Sequence, residues 1–219
     1  VASRLANPHG SRCDKVTIIE PPTNAARRVD RERPAKWLNL LGSDEDWNLA
    51  TSENPQLANR ILGWPRGRGL GGSSRINAMI WFPPTRKDLQ MLVEASGGVW
   101  SISELQQDLN DLSQLTRPEQ PAWQSEAAQR FLNATKQFDA GAAWTYMRLN
   151  RSGRRWNPAE LLTTEQAGCS IEVQRTTVNR LICKGDRIIG VETCDDQGKN
   201  EILANKGVIL CAGAIATPA

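Results

Sequence analysis

The sequence is poor in the side chains that build metal centres and disulfide frameworks. It holds one histidine, His9, and five cysteines, Cys13, Cys169, Cys183, Cys194 and Cys211, none of them in a CxxC or other metal-like spacing. An odd number of dispersed cysteines argues against a stapled secreted fold, so a reduced, cytoplasmic protein is expected. No stretch approaches the roughly eighteen uninterrupted apolar residues of a membrane helix, and the first residues lack the charged-then-apolar layout of a signal peptide. A large excess of charge of one sign is also missing. Lys plus Arg number 27 and Asp plus Glu 24, a formal +3, which excludes the clustered excess of a nucleic-acid-binding surface. The most basic stretch, Ala25 to Lys36, interleaves Asp30 and Glu32 with its arginines and reads as a solvated loop. The sequon Asn133-Ala134-Thr135 is of a kind that arises often by chance.

What is present is enough for a core: 219 residues at 39% hydrophobic content suit one domain or part of a larger enzyme. The opening VASRLA reads as the middle of a helix, and the closing GVILCAGAIATPA stops just after a strand-to-turn signal, so both ends are expected to be cut. Lys15 to Glu20 (KVTIIE) is a short β-branched run ending in an acid, the pattern of a buried parallel strand. A long stretch without periodicity follows, from Pro21 to about Arg60.

Two amphipathic helices are predicted next. Ser101 to Leu115 places Ile102, Leu105, Leu109 and Leu112 at three- and four-residue intervals behind a capping box of Ser101 and Glu104. About Ser125 to Phe138 presents Ala128, Phe131, Leu132 and Thr135 along one face. From Ser170 the period shortens. IEVQ, TTVNRLIC, RIIGVETC and EILA, broken by Lys184-Gly185-Asp186 and Asp195-Asp196-Gln197-Gly198, predict a β-meander, and Gly207 to Cys211 (GVILC) a fully buried strand.

The segment with most chemical information is Gly63 to Pro84. Glycines at 67, 69, 71 and 72, then Ser73 and Ser74, let the backbone approach a ligand and expose amide donors, while Ile76, Ala78, Met79 and Ile80 can start a helix. On composition alone this suits either a pyrophosphate or flavin edge or an ordinary tight turn. The order of residues decides. GRGLGGSSRIN followed by AMIWFPPTRKD resembles the first signature of the glucose-methanol-choline (GMC) oxidoreductases, with Arg68, Gly71, Gly72, Ser73, Ser74, Asn77, Phe82 or Trp81, and Asp88 in its places. Leu41 to Gly67 is similar to the family's "DW.Y.T.P" approach, with Trp47 and Thr51 in register. GRRWNPAELL (Gly153 to Leu162), RIIGVE (Arg187 to Glu192) and the closing strand with Gly213 to Pro218 resemble three further family segments.

The resemblance implies an α/β, FAD-binding Rossmann-type fold, incomplete, with a helical insertion and a β-meander: residues 1–88 the first part of the FAD-binding domain, 89–165 the insertion, 166–219 the return strands. It implies that Glu20 takes the ribose hydroxyls, that Arg68, Gly71, Gly72, Ser73, Ser74, Asn77 and Ala78 line the flavin, that Val178 meets the adenine through its backbone, and that Ala212 and Gly213 approach the cofactor. The GxGxxG that usually precedes VASRLA is not in this sequence. Some members attach FAD through a histidine at the place of Ile76, so non-covalent binding is expected here. The family's catalytic histidine and its partner lie beyond Ala219, no catalytic or metal-binding residue is assigned, and His9 is expected at the surface. The insertion is shorter than usual, and Leu92 stands where a tryptophan is common. The parent activity would be oxidation of a small-molecule alcohol, with this chain alone inactive. The rival is a degenerate, non-enzymatic remnant that no longer binds FAD. A nicotinamide-dependent Rossmann enzyme shares only Glu20 and the strand pattern.

Overall fold

The computed structural model describes residues 1–6, 14–23, 28–119, 125–135, 146–147, 153–162, 165–166, 169–195 and 198–218. His9 and Cys13 lie outside them. The chain forms two compact units, Val1–Ile76 with Asn157–Ala219, and Asn77–Trp156.

The first unit opens with a single helical turn, α1 (Ala2–Leu5), and the expected strand β1 (Lys15–Glu20). α2 (Arg28–Glu32) and a 3-10 helix at Pro34–Leu40 follow, the latter entered by Pro34 at its first position, where a missing N–H costs nothing. The basic stretch is therefore not a solvated loop throughout: its Arg31 side chain is only 17% exposed and pairs with the fully buried Glu45. The two-residue strands β2 (Leu49–Ala50) and β3 (Gly63–Trp64) pair antiparallel around a 3-10 turn at Pro55–Leu57, capped by the Asn54 side chain.

The glycine segment, which closes this part of the first unit, does not run into a helix. A 3-10 turn at Gly72–Arg75 ends at Ile76, Met79 takes a left-handed φ of 60°, and β4 (Ile80–Trp81) pairs with β5 (Tyr146–Met147). The Asn77 Oδ1 accepting from the Met79 amide makes the local turn that competes with helix there. α3 (Arg86–Ala95) begins with a capping box of Thr85 and Asp88, so the signature acid has a structural duty that its match did not announce. α4 (Ile102–Thr116) has the expected Ser101–Glu104 box, with Leu112 at the exposed edge of its apolar face. α5 (Glu126–Thr135) buries less than its stripe predicts, for Phe131 is 64% exposed.

Back in the first unit, a 3-10 turn at Pro158–Leu161 leads to β6 (Glu165–Gln166) and β7 (Cys169–Arg175). β7 pairs with β1 in parallel, Lys15 opposite Ser170 and Glu20 opposite Arg175, which makes the IEVQ run the parallel partner of β1 rather than the first strand of the meander. The meander proper is β8 (Thr177–Lys184), β9 (Arg187–Asp195) and β10 (Gly198–Leu203), with β9 central. Four consecutive β9 residues, Gly190 to Thr193, are buried, so both faces of the strand are covered. Gly190 lies opposite Leu203, and a Cβ on it would sit 2.4 Å from the Ile202 carbonyl oxygen.

Gly207–Cys211 differs from expectation. It forms no strand, and Ile209 and Leu210 are 57% and 45% exposed, ahead of the short α6 (Gly213–Ala216). A fully buried strand needs paired neighbours and covered faces, and among the described residues none pairs with this run.

Candidate functional site

The glycine turn is shaped by the backbone and locked by side chains from elsewhere in the first unit. Gly69 and Gly71 have φ of 98° and 99°, a region that charges L side chains about 1–2 kcal/mol. Added Cβ atoms would meet Thr23 Cγ2 at 2.6 Å on Gly69 and Asn157 Oδ1 at 2.0 Å on Gly71. Gly67 is equally confined, since a Cβ there would sit 2.2 Å from the Gly72 carbonyl oxygen. Gly72 is different: its φ is 54°, and the space beside its Cα is open. Three glycines are therefore required by the packing of the turn, and the fourth leaves room for something outside it.

The two serines divide between these tasks. Ser74 Oγ donates to the Gly71 carbonyl at 2.7 Å and so closes the turn. Ser73 Oγ accepts from the Gly67 amide at 3.1 Å, which leaves its own hydroxyl hydrogen for an acceptor. Ser73 is exposed.

Behind the turn lies a charged network. The Glu45 carboxylate is completely buried and accepts from Arg75 Nε at 3.0 Å, from Arg75 Nη2, and from Arg31 Nη1 at 2.6 Å. Arg75 is 6% exposed, and its Nη1 donates to the Leu70 carbonyl at 3.3 Å. Asn157 Nδ2 donates to the same carbonyl at 3.2 Å. Burial pulls the Arg75 guanidinium below its ordinary pKa, and the hydrogen bond and charge of Glu45 push back. The Asp46 carboxylate accepts from the amides of Gly42, Asn48 and Arg66 at 3.0, 3.1 and 2.8 Å, fixing the approach to the turn. Trp47 and Trp64 carry the guanidinium groups of Arg68 and Arg66 at 5.2 and 5.3 Å. The Arg68 Nε is buried and has no hydrogen-bond partner among the described residues.

Glu20, at the end of β1, is half-buried beside this network. Burial raises its carboxyl pKa, while the charges of Arg75 and Arg175 draw it down by less. Gly69 packs on Thr23, three residues after Glu20, so the structure brings the strand-end acid and the glycine turn together. Val178 is 42% exposed on β8, which touches β1. Ala212 and Gly213 stand exposed at the start of α6, with open space beside Gly213.

Asn77 and Ala78 belong to the second unit. Asn77 Oδ1 accepts from the Met79 amide at 3.1 Å and from Arg155 Nη1 at 2.8 Å, and Arg155 Nη1 also reaches the Asn77 carbonyl at 2.5 Å. The oxygen is thereby held and the amide hydrogens are left to donate. Arg155 is 4% exposed, and burial lowers its pKa to about 10.

Glu45, Asp46, Arg75, Arg155 and Asn157 escaped the sequence reading. Asp46 carried a faint signal as the acid before Trp47; Glu45 and Arg75 are 30 residues apart and Asn157 is 87 from Leu70, so no local pattern links them.

The chain matches the model of the GMC oxidoreductase family over residues 49–144 and 118–219. It is similar to a GMC-type oxidoreductase of Mycobacterium tuberculosis, 27% identical over 215 residues, covering 84% of this chain and 40% of the relative. Mitochondrial choline dehydrogenase of Mus musculus is 26% identical over 208 residues, covering 82% of this chain and 35% of the relative. Among solved structures, pyridoxine 4-oxidase from Mesorbium loti superposes with a TM-score of 0.76 at 26% identity, over 100% of this chain and 48% of that one. A formate oxidase shares the fold, with a TM-score of 0.71 at 22% identity, over 99% of this chain and 44% of that one. The chain thus spans less than half the length of each of these relatives. The signature glycine turn and the family-model match over most of the sequence lead to one conclusion: the chain belongs to the GMC oxidoreductase family.

Proposed function

We propose that this chain is part of the FAD-binding region of an alcohol oxidoreductase acting on CH–OH groups, with the cofactor held non-covalently. The observation that carries the reading is the glycine turn. Its backbone is locked on the protein side and open at Gly72, with the Ser73 hydroxyl facing out and a buried Arg68 N–H lacking an acceptor. A cradle of that kind fits a flat, polar-edged ligand.

In this reading Arg68, Gly71, Gly72, Ser73 and Ser74, together with Asn77 and Ala78, hold the flavin, and Glu20 accepts from the ribose hydroxyls. Val178 offers backbone to the adenine, and Ala212 and Gly213 approach the cofactor from α6. Residues 1–88 and 166–219 make up the FAD-binding part around a helical insertion at 89–165. When bound, the flavin would supply the acceptor for hydride from the alcohol carbon. This chain's residues bind and orient, and none of them is assigned the hydroxyl proton. Ile76 is buried and has no nucleophile, which supports a dissociable cofactor.

The pyridoxine 4-oxidase and choline dehydrogenase likenesses support an alcohol as substrate class. The test is the visible flavin absorbance of the purified protein, followed by acid precipitation. Flavin released to the supernatant is expected. A colourless protein that takes up no FAD would favour the degenerate remnant, and colour in the acid pellet would overturn non-covalent binding.

A further inference from the structure

The Leu70 carbonyl is the fixed point of the glycine turn. It lies between Gly69 and Gly71, both left-handed, and receives donors from Arg75 and Asn157. Arg75 reaches it with Nη1 while its other two nitrogens are both engaged. Its Nε and Nη2 both lie on Glu45 Oε2, which orients the planar guanidinium and leaves Nη1 toward Leu70. Glu45 acts on the turn a second way, since its carbonyl accepts from the Arg68 amide at 2.8 Å. The carboxylate's other oxygen takes Arg31 from α2. One buried residue thus ties α2 and the far end of the turn through its carboxylate, and the near end of the turn through its backbone carbonyl.

We infer that Glu45 is a positioning residue: through Arg75 it pre-forms the 67–76 turn in the absence of any ligand, so that cofactor meets a finished cradle. The inference rests on the reading of that turn as the flavin site, but the pre-forming itself is readable without cofactor. The triad's charges also suit the role. Two cations around one fully desolvated anion are held in place strongly once formed, because removing any partner leaves an uncompensated buried charge. A rigid cradle spares the ligand the ordering cost of the loop.

The experiment is hydrogen–deuterium exchange of the ligand-free chain, comparing residues 67–76 with the β8–β10 meander as an internal reference, in wild type, Glu45→Gln and Arg75→Lys. Loss of a buried ion-pair partner should speed exchange in the turn by about a hundredfold or more. Arg75→Lys keeps the charge beside Glu45 but has no fork to reach Leu70 as well, and should speed the turn by about tenfold, as for one charge-assisted hydrogen bond. The meander should keep its wild-type rates in Arg75→Lys even if Glu45→Gln loosens the whole chain. Restoring a carboxylate with Glu45→Asp should recover part of the protection. FAD titration of the same variants should show affinity falling by less than exchange rises, because affinity follows only the closed fraction. Wild-type exchange at 67–76 in both Glu45→Gln and Arg75→Lys, or acceleration equal in turn and meander in Arg75→Lys, would overturn the inference. A wild-type protein that takes up no FAD while its turn obeys these expectations would instead overturn the flavin assignment.

Discussion

The glycine turn and the β8–β10 meander are held by opposite means. The meander is a backbone ladder of antiparallel strands joined by short turns, each strand paired with its sequence neighbour. The turn has hardly any ladder and is set by side chains: Glu45, Asp46, Arg75 and Asn157 fix carbonyls and amides that no neighbouring strand reaches. A ladder tolerates most surface changes and offers no concavity. A side-chain frame leaves backbone exposed on its free side, which is what a ligand site needs, at the cost of depending on a few buried groups.

That contrast is broken most severely at Gly71. Gly71→Ala adds left-handed strain to a clash with Asn157 and should cost roughly 2–4 kcal/mol in urea unfolding. Gly190→Ala is the meander's counterpart. Its Cβ would push against the Ile202 carbonyl, and a loss of about 1–3 kcal/mol is expected, with exchange protection lost in β9 and β10 and retained at 67–76. Gly72→Ala should cost only about 1 kcal/mol of stability, since the space there is open. On the proposed reading it lowers FAD affinity out of proportion to that loss. Equal stability costs at Gly71 and Gly72 would remove the distinction between the closed and open sides of the turn.

The two regions should also respond to pH with opposite signs. Glu192 in the meander is held down to about 2 by hydrogen bonds from Arg180, Asn179 and Lys199. Its contribution is present above the ordinary carboxylate range and lost as pH falls through about 2, so Glu192→Gln should flatten the acid limb of the stability profile. Glu20 beside the turn is raised, chiefly by burial. Its contribution is present below the ordinary glutamate value and lost as pH climbs through the raised one, so Glu20→Gln should stabilise the ligand-free protein at neutral pH. The same change should weaken FAD binding, by about 1.5–3 kcal/mol if charged hydrogen bonds to ribose are lost. A variant that gains stability and loses cofactor is the mark of a binding residue, and one that loses both is a structural one.

Legibility in the sequence followed the same division. β1, α4 and the meander were readable because their information is local: a β-branched run, a capping box with three- and four-residue spacing, turn residues between short β-rich runs. The glycine turn was found through its signature, but its frame was not, since Glu45 pairs with an arginine 30 residues on. Arg31 was misread as solvated because Asp30 and Glu32 flank it in sequence, and only the fold reveals that it pairs with the buried Glu45. Gly207–Cys211 failed for the converse reason: the run is apolar and β-branched enough for a buried strand, but burial is conferred by neighbours, and none of the described strands lies beside it.

On the proposed reading, the open side of the 67–76 turn is a flavin cradle. The most direct test is the flavin content of the purified protein, wild type against Gly72→Ala and Glu20→Gln, with folding checked by circular dichroism. Near-stoichiometric flavin is expected in the wild type, with folded variants that carry far less. A folded wild type that binds no flavin, or variants that retain it undiminished, would contradict it.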